Sequence, residues 1–174
     1  MYTAAYSNPV SLTPTDVALI GKAAKTLDIA AYSLTDPPVI QAIALAAQRG
    51  VRVRIYLDRN ELAVSIRATR TIEASPIGPL LTQSNIAIKV KESTVLMHLK
   101  SYCVDAATLR DGSANLTRPG DDEQDNSLTQ TDDPAALAAF QSKFEAMWSR
   151  ADNLSPFQIT VAQQTFHVTA KARR

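Results

Sequence analysis

Apolar residues recur along this chain with two different periods, and the switches between them outline a fold. In "DPPVIQAIALAAQRG" (36–50), Val39, Ile40, Ile43, Ala44 and Ala47 follow the 3.6-residue period of a helix. Prolines open the segment, Arg49 favours its C-terminal end and Gly50 closes it. "VRVRIYLD" then alternates, placing Val51, Val53, Ile55 and Leu57 on one strand face. With the short apolar strand "DIAAYSL" before the helix, this reads as a βαβ unit with parallel strands and a right-handed crossover.

Around that unit the pattern is less even. "SLTPTDVALIGKAAKTL" predicts an N-terminal helix, with Thr15 as cap and Val17, Leu19, Ile20, Ala23 and Ala24 as its apolar stripe. Residues 60–85 are irregular, with a short helix before and around "SPIGPLLTQSN". "IAIKVKE" alternates again, turning Ile86, Ile88 and Val90 inward, and "DNSLTQT" is a weaker strand. "DPAALAAFQSKFEAMWSR" predicts an amphipathic helix whose stripe is Leu137, Phe140, Phe144, Met147 and Trp148. From about 152 to 174 no period is visible, and the closing "KARR" reads as a solvated basic terminus, with an auxiliary nucleic-acid contact as the alternative. There is no internal repeat.

Composition narrows the function classes. A chain of 174 residues, 45% hydrophobic and 20% charged, fits one domain over 1–174, with 152–174 as a tail of unsettled order. Eighteen Lys and Arg against seventeen Asp and Glu leave no overall basic bias, so a phosphate-binding surface must come from local placement. One cysteine and two histidines exclude an intrachain disulfide and make a metal centre unexpected; no cofactor is implied. Cys103 reads as a small core residue, Trp148 as core and His167 as an isolated tail residue. No run reaches the roughly 18 apolar residues of a membrane helix, and "MYTAAYSNPV" lacks a signal peptide's charged start and apolar centre.

Candidate chemistry concentrates in "MHLKSYCVDAATLRDGSAN" (97–115). Alternation puts Met97, Leu99 and Cys103 on one strand face and His98, Lys100 and Tyr102 on the other. If "DAAT" is a tight turn pairing Asp105 with Thr108, Lys100 lies opposite Ser113 and His98 opposite Asn115. A four-residue loop keeps that matching; a three-residue loop breaks it. Lysine, serine and asparagine form a donor cluster suited to phosphate oxygens, beside a histidine able to act as nucleophile or general acid/base. The expected class is phosphoryl or phosphodiester transfer without a metal.

The spacing of these residues resembles a known signature. His98, Lys100 and Asp105 make His-x-Lys-x4-Asp, and Gly112, Ser113 and Asn115 follow as Gly-Ser-x-Asn. Together they resemble the phospholipase D superfamily, and "DIAAYSLTDPPVIQAIALAAQRGVRVRIYLD" resembles the first βαβ unit of its small bacterial endonucleases. The likeness spans roughly residues 10–150. It implies an α/β fold with a mixed, mostly parallel central sheet flanked by helices on both faces. It also implies a metal-independent phosphodiesterase, most readily a nonspecific endonuclease on DNA or RNA. In such a site His98 attacks phosphorus from one copy of the motif and protonates the leaving oxygen from another. Lys100 and Asn115 bind the phosphate and Ser113 supports it, while Asp105 and Gly112 belong to the signature as structural members. An acidic residue that orients the histidine falls at Asp125 in "QDNSL", with Glu123 as the alternative, and Arg118 is a candidate backbone contact.

One motif supplies one histidine, whereas the chemistry needs two, which implies a symmetric homodimer. A phospholipid substrate and a catalytically silent nucleic-acid-binding module are the alternatives. The resemblance also suggests an exported, periplasmic mature form, with the cytoplasm as the alternative.

Overall fold

In the computed structural model, residues 1–159 are described. In chain order the elements are β1 (Tyr2–Tyr6), α1 (Thr13–Gly21), β2 (Thr26–Ala31), α2 (Pro37–Gln48), β3 (Arg52–Leu57), α3 (Arg59–Thr69), β4 (Ile86–Val90), β5 (Lys100–Val104), β6 (Thr108–Gly112), β7 (Ser127–Thr131) and α4 (Pro134–Trp148). A 3-10 turn (Gly78–Leu80) precedes β4, and one π turn (Pro119–Glu123) precedes β7.

The βαβ unit forms as its periodicity requires, with β2 and β3 parallel and Ile29 level with Ile55. All seven strands join one sheet in the order β1-β7-β6-β5-β2-β3-β4. The sheet is mixed, as expected, but its parallel pairing is confined to β2, β3 and β4. The other four pairings are antiparallel, so "mostly parallel" is corrected. For β5 and β6 the cause is local: they are joined by a short hairpin, which only antiparallel strands permit.

Helices cover both faces, and each face has its own core. On one, Leu19 and Ile20 of α1 and Val39, Ile43 and Ala46 of α2 pack on Leu27, Ile29, Val53, Ile55 and Tyr102. On the other, Phe140, Phe144 and Met147 of α4 pack on Ala30, Tyr56, Cys103 and Leu109, with Leu137 and Trp148 at the margin. The expected α4 stripe is therefore the one used. Both faces of β5 are consequently buried, which places Tyr102 in the first core rather than on a polar face.

Four local features differ from the sequence reading or add to it. α1 starts at Thr13 with a proline in its first positions and Leu12 before it, so Thr15 lies inside the helix and does not cap it. "YTAAY", which has no clear alternation of burial, forms the edge strand β1 because β7 offers it an antiparallel partner. The irregular stretch from 60 begins with a full helix, α3, whose N-cap Asp58 accepts from the Asn60 and Glu61 N–H groups. Beyond α4, Leu154 bridges Val90 and Ile159 is buried, so the start of the predicted tail packs on the sheet. His167 and the basic end lie outside the described residues. Among the described residues, no helix is long and apolar enough to cross a membrane.

Candidate active site

β5 and β6 carry the candidate residues, but in a different register from the one assumed. The loop between them has three residues, and Val104 pairs with Thr108, Cys103 with Leu109 and Tyr102 with Arg110. Asp105 and Ala106 both adopt left-handed backbone (φ 53°), and the Ala107 N–H donates to the Val104 carbonyl at 2.9 Å. The register is thus shifted by one from the Asp105–Thr108 pairing. The Ser101 hydroxyl now donates to Asp111 Oδ1 at 2.6 Å, and Ser113 turns toward β7, its N–H donating to the Ser127 carbonyl at 3.0 Å.

Asp105 explains why this turn holds. Its carboxylate accepts N–H bonds from Ala24 (2.9 Å), Lys25 (2.7 Å) and Thr26 (2.8 Å), and its own N–H donates to Thr26 O at 2.9 Å. Partial burial pushes this carboxyl upward, but those three donors outweigh it and hold it below the usual aspartate range. Asp105 therefore ties the hairpin to the start of β2. Gly112 has a comparable reason to be glycine: at φ 153° a Cβ would stand 2.2 Å from the Ser127 carbonyl oxygen.

His98 precedes β5 on an extended segment and its side chain is exposed. Its ring meets the edge of Tyr32, with centroids 4.6 Å apart. Lys100 is 7% exposed; its Nζ lies 4.7 Å from the Tyr32 ring centroid and donates to the His98 carbonyl at 2.9 Å. Burial, aided by the Arg110 charge, lowers the Lys100 ammonium from its ordinary value, while Glu61 opposes the change. Burial and then the Glu61 charge raise the Tyr32 hydroxyl. The chain entering this corner is held by Asp58, whose Oδ2 accepts the Met97 N–H at 2.8 Å. The Tyr32 N–H donates to the Leu99 carbonyl at 2.8 Å, while Thr35 and Asp36 N–H groups bond to Leu116 O. The segment after β2 thus borders both arms of the motif.

Ser113 donates to Asn126 Oδ1 at 3.0 Å and accepts from the Ser127 N–H at 2.9 Å. Asn126 Nδ2 in turn donates to Gly120 O at 3.0 Å. Asn115 is braced from behind, since a Cβ on Gly120 would lie 2.6 Å from the Asn115 carbonyl oxygen. Its side-chain Oδ1 is buried without a hydrogen-bond partner among the described residues. Between the arms sits Arg110, fully buried, whose Nη1 donates to Lys100 O (2.6 Å) and Ala114 O (3.1 Å).

Other candidates stand apart. Asp125 is exposed and accepts from Asn8 Nδ2 at 3.2 Å, Glu123 is exposed, and among the described residues no hydrogen bond joins either to His98. Arg118 is exposed and 3.9 Å from Asp122 on the same turn. Beside His98 opens a cleft of about 290 Å³, floored by Met97, Leu99 and Met147 and bordered by Lys91, Lys143 and Arg150. None of its lining residues is acidic.

Sequence reading missed Tyr32, Asp58, Arg110 and Asn126. Asp58 did carry a signal, since an aspartate directly after a strand and three residues before Glu61 marks a helix start. Arg110 carried none, since its partner Asp16 lies 94 positions away.

A sheet covered on both faces, with one His-x-Lys strand braced against one Gly-Ser-x-Asn loop, defines a phospholipase D-like protein. Residues 17–148 match the family described as "Cardiolipin synthase, PLD-like domain", and the chain belongs to that family. A mitochondrial cardiolipin hydrolase of Xenopus tropicalis is 30% identical over 137 residues, covering 79% of this chain and 61% of that protein. The chain thus spans about three-fifths of the length of the curated relatives of this type. Among solved structures, the phospholipase D family member Nuc of Salmonella typhimurium superposes with a TM-score of 0.72 at 22% identity, covering 88% of this chain and 97% of that one. NucT of Helicobacter pylori gives 0.67 at 21% identity, covering 85% and 96%. These two likenesses concern the fold.

Proposed function

We propose that the chain is a metal-independent phosphodiesterase, acting as an endonuclease on DNA, with RNA as a second substrate, at a site shared by two copies. The observation that carries this reading is an exposed His98 ring set above a buried Lys100, at the edge of a cleft bordered by three cations. An imidazole in that position reaches solvent and a polyanion, while Lys100 and Asn115 supply charge and hydrogen bonds to the phosphate oxygens.

In the first half-reaction a His98 nitrogen attacks phosphorus, forming a P–N bond as the P–O bond to the leaving group breaks. The leaving oxygen takes a proton from His98 of the partner subunit. Water then attacks phosphorus, gives that histidine its proton back, and the P–N bond breaks. The single His-x-Lys motif supports a two-fold dimer as the source of the second histidine.

A second reading changes the substrate to a phospholipid diester. The name of the Xenopus tropicalis relative favours it, as do exposed Val95 (71%) and Leu96 (49%) just before His98. An exported, periplasmic location remains part of the proposal.

Plasmid cleavage in EDTA tests the first reading, alongside conversion of cardiolipin in vesicles to phosphatidic acid and phosphatidylglycerol. Nicking that persists in EDTA and falls by at least about 10³-fold in His98→Ala is expected. Undiminished nicking by that variant removes the mechanism, and cardiolipin hydrolysis without nicking moves the substrate to the second reading. Light scattering should give twice the chain mass; a strict monomer breaks the shared site.

A further inference from the structure

Arg110 is 0% exposed, in a place where an apolar side chain would pack without electrostatic cost. Its Nε and Nη2 each donate to the Asp16 carboxylate at 3.0 Å, and the Tyr102 hydroxyl donates to the same carboxylate at 2.7 Å. That pairing uses one face of the guanidinium fork. The remaining nitrogen, Nη1, reaches the carbonyls of Lys100 and Ala114. Those two carbonyls belong to the phosphate-binding lysine and to the residue preceding Asn115. No other side chain among the described residues hydrogen-bonds to both arms of the motif.

Behind Arg110 lies a second carboxylate. Asp121, also 0% exposed, has neither oxygen hydrogen-bonded among the described residues, and its Oδ1 is 4.0 Å from Arg110 Nη2. It belongs to the π turn whose Gly120 presses on the Asn115 backbone. We propose that Arg110 is the positioning residue of this site, fixing the spacing between Lys100 and Asn115, and that the buried Asp121 carboxyl beside it controls whether it stays in place. The inference rests on the phosphodiesterase reading for its consequence in catalysis, and on the geometry alone for the positioning itself.

The charges facing Asp121 come from every element around it. They are Asp16 on α1, Asp36 at the start of α2, Tyr102 on β5, Arg110 on β6 and Asp122 in its own turn. One guanidinium balances one carboxylate, so Asp121 is in surplus. Burial first, and the Asp16 charge second, push its carboxyl up to about 8. Below that pH it is neutral and leaves Arg110 to Asp16. Above it, a second anion competes for Nη2 and draws the guanidinium away from the two carbonyls.

Two variants separate positioning from simple structural support. Arg110→Lys keeps the charge but cannot reach Asp16 and both carbonyls together. With the wild type cleaving DNA, kcat of this variant should fall roughly ten- to hundred-fold while KM stays within about two-fold. The wild-type kcat should fall as pH rises through about 8, and Asp121→Asn should fold and lose that dependence. NMR gives a readout independent of turnover: the Asn115 side-chain amide should shift with a midpoint near pH 8 in the wild type and not in Asp121→Asn. Lys100's own titration should persist in both. An Asn115 signal that titrates alike in the two proteins, or in neither, overturns the inference. Absence of any wild-type phosphodiester cleavage overturns the phosphodiesterase reading instead, and leaves the NMR comparison to decide the positioning.

Discussion

On the face beneath α1 and α2, the two halves of the sheet are built on different physics, whereas the opposite face of the parallel half carries its own ion pair, Asp28–Arg54. β2, β3 and β4 run parallel, and their inward residues Leu27, Ile29, Val53 and Ile55 are fully buried aliphatics against α1 and α2. β5, β6 and β7 are antiparallel and bury Lys100, Arg110 and, from adjoining segments, Asp16 and Asp121. Burial of aliphatic surface is non-directional and tolerates small changes of shape. A buried guanidinium with two carboxylates is directional, since each donor must find its acceptor. The first half can hold a fold; the second can hold a distance. The candidate site sits on the second.

The largest effect is expected where the polar half is cut in one place. Arg110→Met leaves Asp16 buried without its partner and should cost about 3–5 kcal/mol by urea denaturation. Replacing the set together (Asp16→Leu, Tyr102→Phe, Arg110→Met, Asp121→Leu) should recover at least about half of that loss. Activity should stay low in both. A multiple variant with restored stability and full activity would make the cluster ordinary packing, and would erase the contrast between the halves.

Asp105→Asn should be milder, about 1–2 kcal/mol at pH 7, because it weakens three charge-assisted bonds without burying a charge. The folded carboxyl lies below its unfolded value, so its contribution is present above the unfolded value near 4 and is lost as pH falls through the folded one. The difference between wild type and variant should therefore shrink on acidification toward pH 2. A difference independent of pH would mean that the aspartate acts through shape alone.

The smallest change belongs to the aliphatic half. Ile55→Val should cost about 0.5–1.5 kcal/mol with kcat unchanged for the folded fraction. A marked fall in kcat would show that the parallel strands set the site's spacing too.

The same contrast explains what could be read from the chain. The βαβ unit was legible because a helix and a strand each repeat their apolar residues at a fixed period, as Val39, Ile43 and Ala47 do beside Val53 and Ile55. The α4 stripe was legible for the same reason. The hairpin register was not, because "DAAT" and a three-residue loop differ only in whether two non-glycine residues take left-handed backbone. That is decided by Asp105 reaching the start of β2. The motif residues could be located by spacing, whereas their supports could not. Arg110 meets Asp16 across 94 positions, and no local pattern encodes such a meeting.

Asp58 joins the two halves in one carboxylate: Oδ1 receives Asn60 and Glu61 at the head of α3, and Oδ2 receives Met97 beside His98. Fraying of the first turn of α3 and release of the segment bearing His98 are thereby a single opening event. Amide hydrogens of Asn60, Glu61 and Met97 should exchange with solvent at one common opening free energy, although Met97 lies more than thirty positions along the chain. The freedom of the histidine is then tied, through one carboxylate, to the first turn of a helix.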